Sequence, residues 1–152
     1  MNTTQKKTNQ INDDSANQLF NNKELYKYIK KESNYKFKQS GLYKDAYIIK
    51  KYISHGGTIN DNAYDNDYFM RVINFIGEKW IDVDRYINDM HICDIEDLQN
   101  AKNIRPMTRI SVSTPITINE IIKMHGKRKV EEILKQKNET NRIIWRSLKC
   151  VN

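Results

Sequence analysis

The segment DNAYDND, which begins at Asp61, has the acidic character of a calcium-binding loop. A loop of the EF-hand type needs Gly at its sixth position and a bidentate Glu at its twelfth. Counted from Asp61, those positions hold Asn66 and Val72. The spacing therefore excludes an EF-hand, and Asp65 and Asp67 are typical of acids at the start of a helix.

Other residues with catalytic or metal-binding chemistry are sparse. Glu78, Asp82 and Asp84 could together bind magnesium for nuclease chemistry, but no further acid or lysine completes the set at a recognisable spacing. His91 and Cys93 supply two of the four ligands that a structural zinc requires. The chain has no glycine-rich phosphate loop and no nucleophile motif. We therefore predict no catalytic residue, no metal site and no cofactor.

Basic side chains near the C-terminus offer clearer binding chemistry. The sequence TINEIIKMHGKRKVEEILKQ predicts a short capped helix, a turn at Gly126 and a second helix that begins with three cations. This is the outline of a DNA-binding helix-turn-helix. The register fits poorly, because Glu132 occupies the position where an apolar residue is expected. The candidate binding residues of this region are Arg105, Arg109, Lys123, Lys127, Arg128, Lys129, Lys135 and Lys137.

A second basic segment, KELYKYIKKESNYKFK, interleaves lysines with aromatic rings. Such mixing can follow a single-stranded nucleic acid, with lysines on the phosphates and rings stacked on the bases. A solvated helix face in a Lys- and Tyr-rich protein gives the same pattern. The candidate binding residues of this segment are Lys30, Lys31, Lys36 and Lys38.

The net charge alternates along the chain. Residues 1–51 contain 11 lysines and 5 acids, which gives +6, and residues 52–100 contain 3 basic and 10 acidic residues, which gives −7. Residues 101–152 contain 12 basic and 4 acidic residues, which gives +8. This layout indicates either polyanion contact through the two ends or docking of the acidic middle onto an end, in the same chain or in a neighbour.

The composition restricts the class of protein. Asn, Ile, Lys and Tyr are abundant, whereas Ala, Gly and Pro are scarce, as in proteins encoded by AT-rich genomes such as those of many phages, other viruses, mollicutes and organelles. Cys93 and Cys150 are too few for a disulfide framework, and the polar N-terminus contains no signal-peptide core. No apolar run approaches the roughly 20 residues that span a membrane. We expect no membrane contact and a cytoplasmic or virion-associated location.

Apolar residues recur with helical periodicity in most of the segments that contain the candidate binding residues. Capping residues predict helices that begin after Asn22, Ser40, Asp82 and Thr117, so we predict a mainly α protein. Residues 109–114, between two prolines, alternate apolar and polar residues and predict one short strand or a linker. The predicted divisions are a polar flexible arm at 1–18, a helical core at 19–100 with an acidic second half, a linker at 101–116 and a basic helical hairpin at 117–152.

These observations favour a non-enzymatic, small basic subunit of a larger assembly. The expected assemblies are a virion or phage structural or connector complex and a ribonucleoprotein, with the basic ends of the chain against nucleic acid or acidic neighbours. Its protein partners would be other subunits or further copies of itself. The alternative is a helix-turn-helix-like DNA-binding regulator, and the second alternative is a magnesium-dependent nuclease.

Overall fold

The computed structural model describes residues 11–140, with the side chains of residues 11–137. It confirms that the protein is mainly helical, and it contains one small two-stranded sheet. The chain forms two compact units that divide between Gly77 and Glu78. Among the described helices, none combines the length and the apolar character that crossing a membrane requires.

Four α-helices make up most of the described first unit. They are α1 at Asp13–Leu19, α2 at Lys23–Lys36, α3 at Leu42–Ser54 and α4 at Asp67–Glu78, with a 3-10 helix at Asp61–Asp65. Asparagine side chains cap three of them by accepting a first-turn N–H that has no partner inside the helix. The capping pairs are Asn12 with Ser15, Asn22 with Leu25 and Asn66 with Phe69. The predicted start of α2 after Asn22 is confirmed.

Aromatic side chains fill the centre of the first unit. The ring of Phe20 lies 4.7 Å from that of Tyr26 and 4.7 Å from that of Tyr52, measured between centroids. The hydroxyl of Tyr52 accepts the Asn22 N–H at 2.9 Å and donates to the carbonyl of Thr58 at 2.6 Å. This one buried side chain therefore joins the start of α2 to the loop that follows α3.

Two consecutive glycines form the turn after α3, for different reasons. Gly56 follows the C-cap residue of α3 and has φ +87°, a left-handed conformation that side chains disfavour. At Gly57 the constraint is space, because a Cβ there would overlap the ring of Tyr52. The turn thus depends on backbone conformation at one position and on close packing at the next.

The structure differs from the predicted flexible arm over residues 11–18. α1 buries Ala16 and Leu19, and the N–H of Ile11 donates to the carboxylate of Asp45 in α3 at 3.2 Å. The low mean hydropathy of the segment conceals these few apolar positions, which have the spacing needed to contact the core. Residues 1–10 of the predicted arm lie outside the described residues.

The second unit combines three α-helices with a short β ribbon. The helices are α5 at Val83–Asp89, α6 at Ile118–His125 and α7 at Lys127–Thr140, and a 3-10 helix covers Ile95–Asn100. β1 (Trp80–Asp82) pairs antiparallel with β2 (Ile104–Pro106). Asp82 also caps α5 as predicted, since its carboxylate accepts the N–H of Asp84 at 3.1 Å. The core of the unit consists of Ile81, Val83, Tyr86, Ile87, Ile116, Ile118, Ile121, Val130 and Leu134.

Of the two alternatives predicted for residues 109–114, a short strand or a linker, the strand does not form there: the structure has turns, and the strand lies at Ile104–Pro106. Ile110 and Val112 do alternate with polar residues, but both are exposed, so the alternation marks no buried face. The division at residue 100 also differs, since the core of the second unit unites residues 81–87 with residues 116–134. Packing between segments so far apart in sequence leaves no local periodicity to detect.

Candidate functional site

Local sequence determines the corner between α6 and α7. The Thr117 hydroxyl accepts the Glu120 N–H at 3.1 Å, and the Glu120 carboxylate accepts the Thr117 N–H at 2.9 Å, which confirms the predicted capping box. α6 ends at His125 and is followed by its C-cap Gly126, whose φ of +83° allows α7 to begin at the next residue, Lys127. The side chains that these helices bury in the core are those of Ile118, Ile121, Val130 and Leu134.

Four of the predicted binding residues surround this corner. Lys123, Lys127, Arg128 and Lys129 are exposed, and none forms a hydrogen bond or ion pair with another described residue. The last three occupy the first turn of α7, which contains no acid. Cations at the positive end of a helix dipole destabilise the helix, typically by about 0.3–1 kcal/mol each, and a bound anion would offset that cost. We call these four residues the basic corner.

Three other predicted residues of the second unit interact within the unit or line a groove. Arg105 donates to the carbonyl of Ile116 through Nε at 3.0 Å and Nη2 at 2.5 Å, and burial lowers its pKa. Lys137 donates to the carbonyl of Lys102 at 3.0 Å. Lys135 lines the groove between α5 and α7. None of the three adds a cation to the basic corner.

Arg109, also a predicted binding residue, organises the loop before α6. Its Nη1 donates to the carbonyls of Ser111 and Thr114, at 3.1 and 2.7 Å, and its Nη2 pairs with Glu120 at 2.9 Å. The hydrogen bond from Arg109 and that from the Thr117 backbone lower the pKa of Glu120 to about 2. Sequence reasoning missed this role, because no local pattern signals a pairing across 11 positions and a turn.

The groove between α5 and α7 has a volume of about 420 Å³ and carries both signs of charge. Asp84, Glu131 and Glu132 line it together with Arg128 and Lys135. Mixed charges attract a polyanion weakly, since opposite contributions to the local potential cancel. The groove, which Arg128 also lines, therefore attracts an anion less strongly than the first turn of α7, which contains no acid.

The lysines predicted on the first basic segment have different surroundings. Lys30 forms an ion pair with Asp13 at 2.8 Å, and the ammonium of Lys36 lies 5.6 Å from the centroid of the Tyr47 ring. Lys31 and Lys38 are exposed, and neither has a hydrogen bond or ion pair within the described part of the chain. Lys30 and Lys36 thus have side-chain interactions within the first unit, whereas Lys31 and Lys38 have none with another described residue.

The acids considered for a magnesium site all have structural partners. Glu78 accepts a hydrogen bond from Trp80 Nε1 at 2.9 Å, Asp82 caps α5, and Asp84 accepts one from Asn103 Nδ2 at 2.9 Å. Over the described residues, no group of three His, Cys, Asp or Glu side chains is arranged to hold a metal ion. Each carboxylate is therefore accounted for by folding rather than by a common ligand.

Residues 20–144 match the family of unknown function DUF5872. The chain belongs to this family. The matched region extends over both units, so the DUF5872 region of the chain contains α2, the loop organised by Arg109 and the whole basic corner. Comparison with curated proteins and with solved structures gave no match.

Proposed function

We propose that this DUF5872 protein is a non-enzymatic basic subunit of a larger assembly, and that it contacts nucleic acid through the basic corner. The observation that supports this is the exposure of Lys123, Lys127, Arg128 and Lys129 around one turn, without a partner among the described residues. Other predicted cations, such as Arg105 and Arg109, are held by the fold. Unbalanced positive charge therefore accumulates at this corner of the described second unit.

Phosphate is the anion that suits this corner best. Lysines act as point charges toward phosphate oxygens, and the guanidinium of Arg128 can contact two oxygens of one phosphate. Backbone N–H groups in the first turn of α7 lack helical partners and add donors in the same direction. These contacts are to the backbone of a nucleic acid, so they provide affinity and position without sequence preference.

The assembly is expected to be a virion or phage structural complex, or a ribonucleoprotein. The composition is that of an AT-rich genome, and many phages and other viruses have such genomes. The alternation of net charge from +6 through −7 to +8 supports contact with acidic neighbours or with further copies of the chain.

The test replaces Lys127, Arg128 and Lys129 by Ala together. A matched control replaces Lys50, Arg71 and Arg85 by Ala, because these cations are also exposed and their loss changes the net charge equally. Binding to labelled duplex and single-stranded DNA is measured across a salt series. Each lost phosphate contact should reduce the slope of log affinity against log salt by about 0.7–0.9 in the corner variant. Equal slopes in the parent and the corner variant would refute the proposal.

A DNA-binding regulator is the second candidate, and the exposed first turn of α7 is the observation that favours it. In such a protein the N-terminal residues of the second helix contact base edges. The same variant would then lose discrimination between a selected site and random DNA. An assembly subunit would instead lose affinity uniformly for all sequences.

A further inference from the structure

The aromatic residues of α2 and its C-terminal end lie in two different environments. Tyr26 and Phe37 are buried, each with 3% of its surface exposed. Tyr28 is 63% exposed and Tyr35 is 84% exposed. Codon usage can enrich tyrosine, but it does not select the face of a helix on which the ring lies. Tyr26 and Phe37 therefore belong to the core of the first unit, whereas Tyr28 and Tyr35 face solvent.

The two exposed rings share one face of α2 with a lysine. Lys31 follows Tyr28 by three residues and precedes Tyr35 by four, so the three side chains lie along one stripe. Seven residues separate the rings, which places them about 10 Å apart along the helix axis. Lys27 lies beside the stripe, one turn before Lys31. We call Tyr28, Lys31 and Tyr35, with Lys27, the tyrosine stripe.

The nearby acids leave the stripe basic between its rings. The carboxylate of Glu32 is engaged within the first unit, where it accepts a hydrogen bond from the Tyr47 hydroxyl at 2.8 Å. Glu24 is exposed and lies on the same face one turn before Tyr28, so it is near Lys27 but outside the interval between the two rings. Lys31 has no ion pair within the described residues. An anion between the rings therefore meets lysine rather than carboxylate.

We infer that the tyrosine stripe binds single-stranded nucleic acid, with bases stacked on the two tyrosines and phosphates against Lys27 and Lys31. Aromatic side chains stack on any base whose face is uncovered, and lysines between them neutralise the backbone. The bases of a duplex are covered on both faces by their neighbours, so a duplex cannot use these rings. This goes beyond the proposed function, because it specifies the form of nucleic acid and lies in the other unit.

The experiment uses the full chain and a labelled oligothymidine of about 12 nucleotides, within the range of known single-strand sites. Tyr28 and Tyr35 are replaced together by Ala in one variant and by Phe in a matched variant that keeps both rings. Circular dichroism checks that both remain folded, as expected for exposed positions. The Ala variant should lose about fivefold or more in affinity per ring, whereas the Phe variant should bind like the parent.

Duplex of the same sequence separates this inference from the proposed function. The ring variant should bind duplex as the parent does, whereas the basic-corner variant should lose duplex binding. If the Ala variant of Tyr28 and Tyr35 and the parent bind oligothymidine equally, the inference is overturned. A protein partner would then be the alternative ligand of the stripe. Loss of duplex binding in the corner variant would then still support the proposed function. If instead the ring variant loses oligothymidine binding while the corner variant binds duplex like the parent, only the tyrosine stripe is supported.

Discussion

The hydroxyl of Tyr68 in α4 donates a hydrogen bond to the buried carboxylate of Asp45 in α3, across 2.5 Å. The same carboxylate oxygen accepts the N–H of Ile11, which precedes α1. Burial raises the pKa of Asp45, and these two hydrogen bonds oppose that shift. One buried acid thus connects three segments of the first unit, with a protonation state that depends on both donors.

Replacing Tyr68 by Phe should lower the free energy of unfolding by about 1–3 kcal/mol near neutral pH, because it leaves a buried carboxylate short of a donor. The folded pKa of Asp45 is raised, so its stabilising contribution is complete below its ordinary value of 3.8 and is lost as the pH rises through the folded pKa. The loss in the Phe variant should therefore be larger near neutral pH than in acid. Urea unfolding as a function of pH measures this.

Asp45→Asn is the control for that experiment, because the amide oxygen can still accept hydrogen bonds but carries no charge. Combining it with Tyr68→Phe should remove most of the pH dependence of the loss. An identical loss in Tyr68→Phe at every pH would show that the charge of Asp45 plays no part.

Glu120 in the second unit should show the opposite pH dependence. Its pKa is lowered to about 2 from 4.5, chiefly by Arg109, so its contribution is complete above pH 4.5 and is lost as the pH falls through about 2. The side chains of the pair are 39% and 43% exposed, which limits the contribution to less than about 1 kcal/mol. Thermal unfolding of Glu120→Gln should vary less than the parent over this range. A steeper acid dependence in the variant would contradict the pairing.

Ile81 in β1 and Val130 in α7 should stabilise one cooperative unit, because both are fully buried in the same core. We expect Ile81→Ala to cost about 2–5 kcal/mol, through lost burial and the cavity that remains. Met124→Ala removes an exposed side chain of α6 and should change stability by less than about 0.5 kcal/mol. Hydrogen exchange in α7 should accelerate in Ile81→Ala. Unchanged exchange there would indicate that the hairpin folds without β1.

The hydroxyl of Thr114 should hold the loop before α6, since it accepts the N–H groups of Ile110 and Ser111 at 3.2 and 3.1 Å. Thr114→Val keeps the shape of the side chain but removes this acceptor, at a cost of about 1 kcal/mol. Amide exchange at Ile110 and Ser111 should accelerate. Thr108→Val, at an exposed position nearby, serves as the control and should leave both rates unchanged. Equal exchange rates in the parent, Thr114→Val and Thr108→Val would show that the Thr114 hydroxyl does not hold this loop.

Local signals predicted much of the fold. Asn22, the Thr117 capping box and Gly126 mark helix ends, because each acts through bonds or dihedral angles within a few residues. The pairing of β1 with β2 could not be predicted in this way, since it joins Trp80 to Pro106 across the intervening helices. α1 was not predicted for a related reason. Its few apolar residues form no clear periodic pattern, and their burial depends on contacts with the rest of the first unit.

The candidate site shows the same limit. Sequence identified the cations of the basic corner, because Gly126 and the first turn of α7 are local features. It could not separate these from Arg105 and Arg109, whose partners are backbone carbonyls and an acid reached only after the chain turns. Tyr28 and Tyr35 lie seven residues apart, which is two helical turns, so they share one face of α2. Their exposure required the fold.

The two glycines after α3 should tolerate mutation differently in a library that samples every residue. Gly56 has open space where a side chain would begin, so its restriction is conformational and Asn, which accepts left-handed geometry, should survive selection there. Gly57 faces the ring of Tyr52, so every side chain meets the same obstacle at its first carbon, whatever its chemistry. Only a smaller residue at position 52 should restore tolerance at 57, and it would do so by giving up the hydroxyl that joins α2 to this turn.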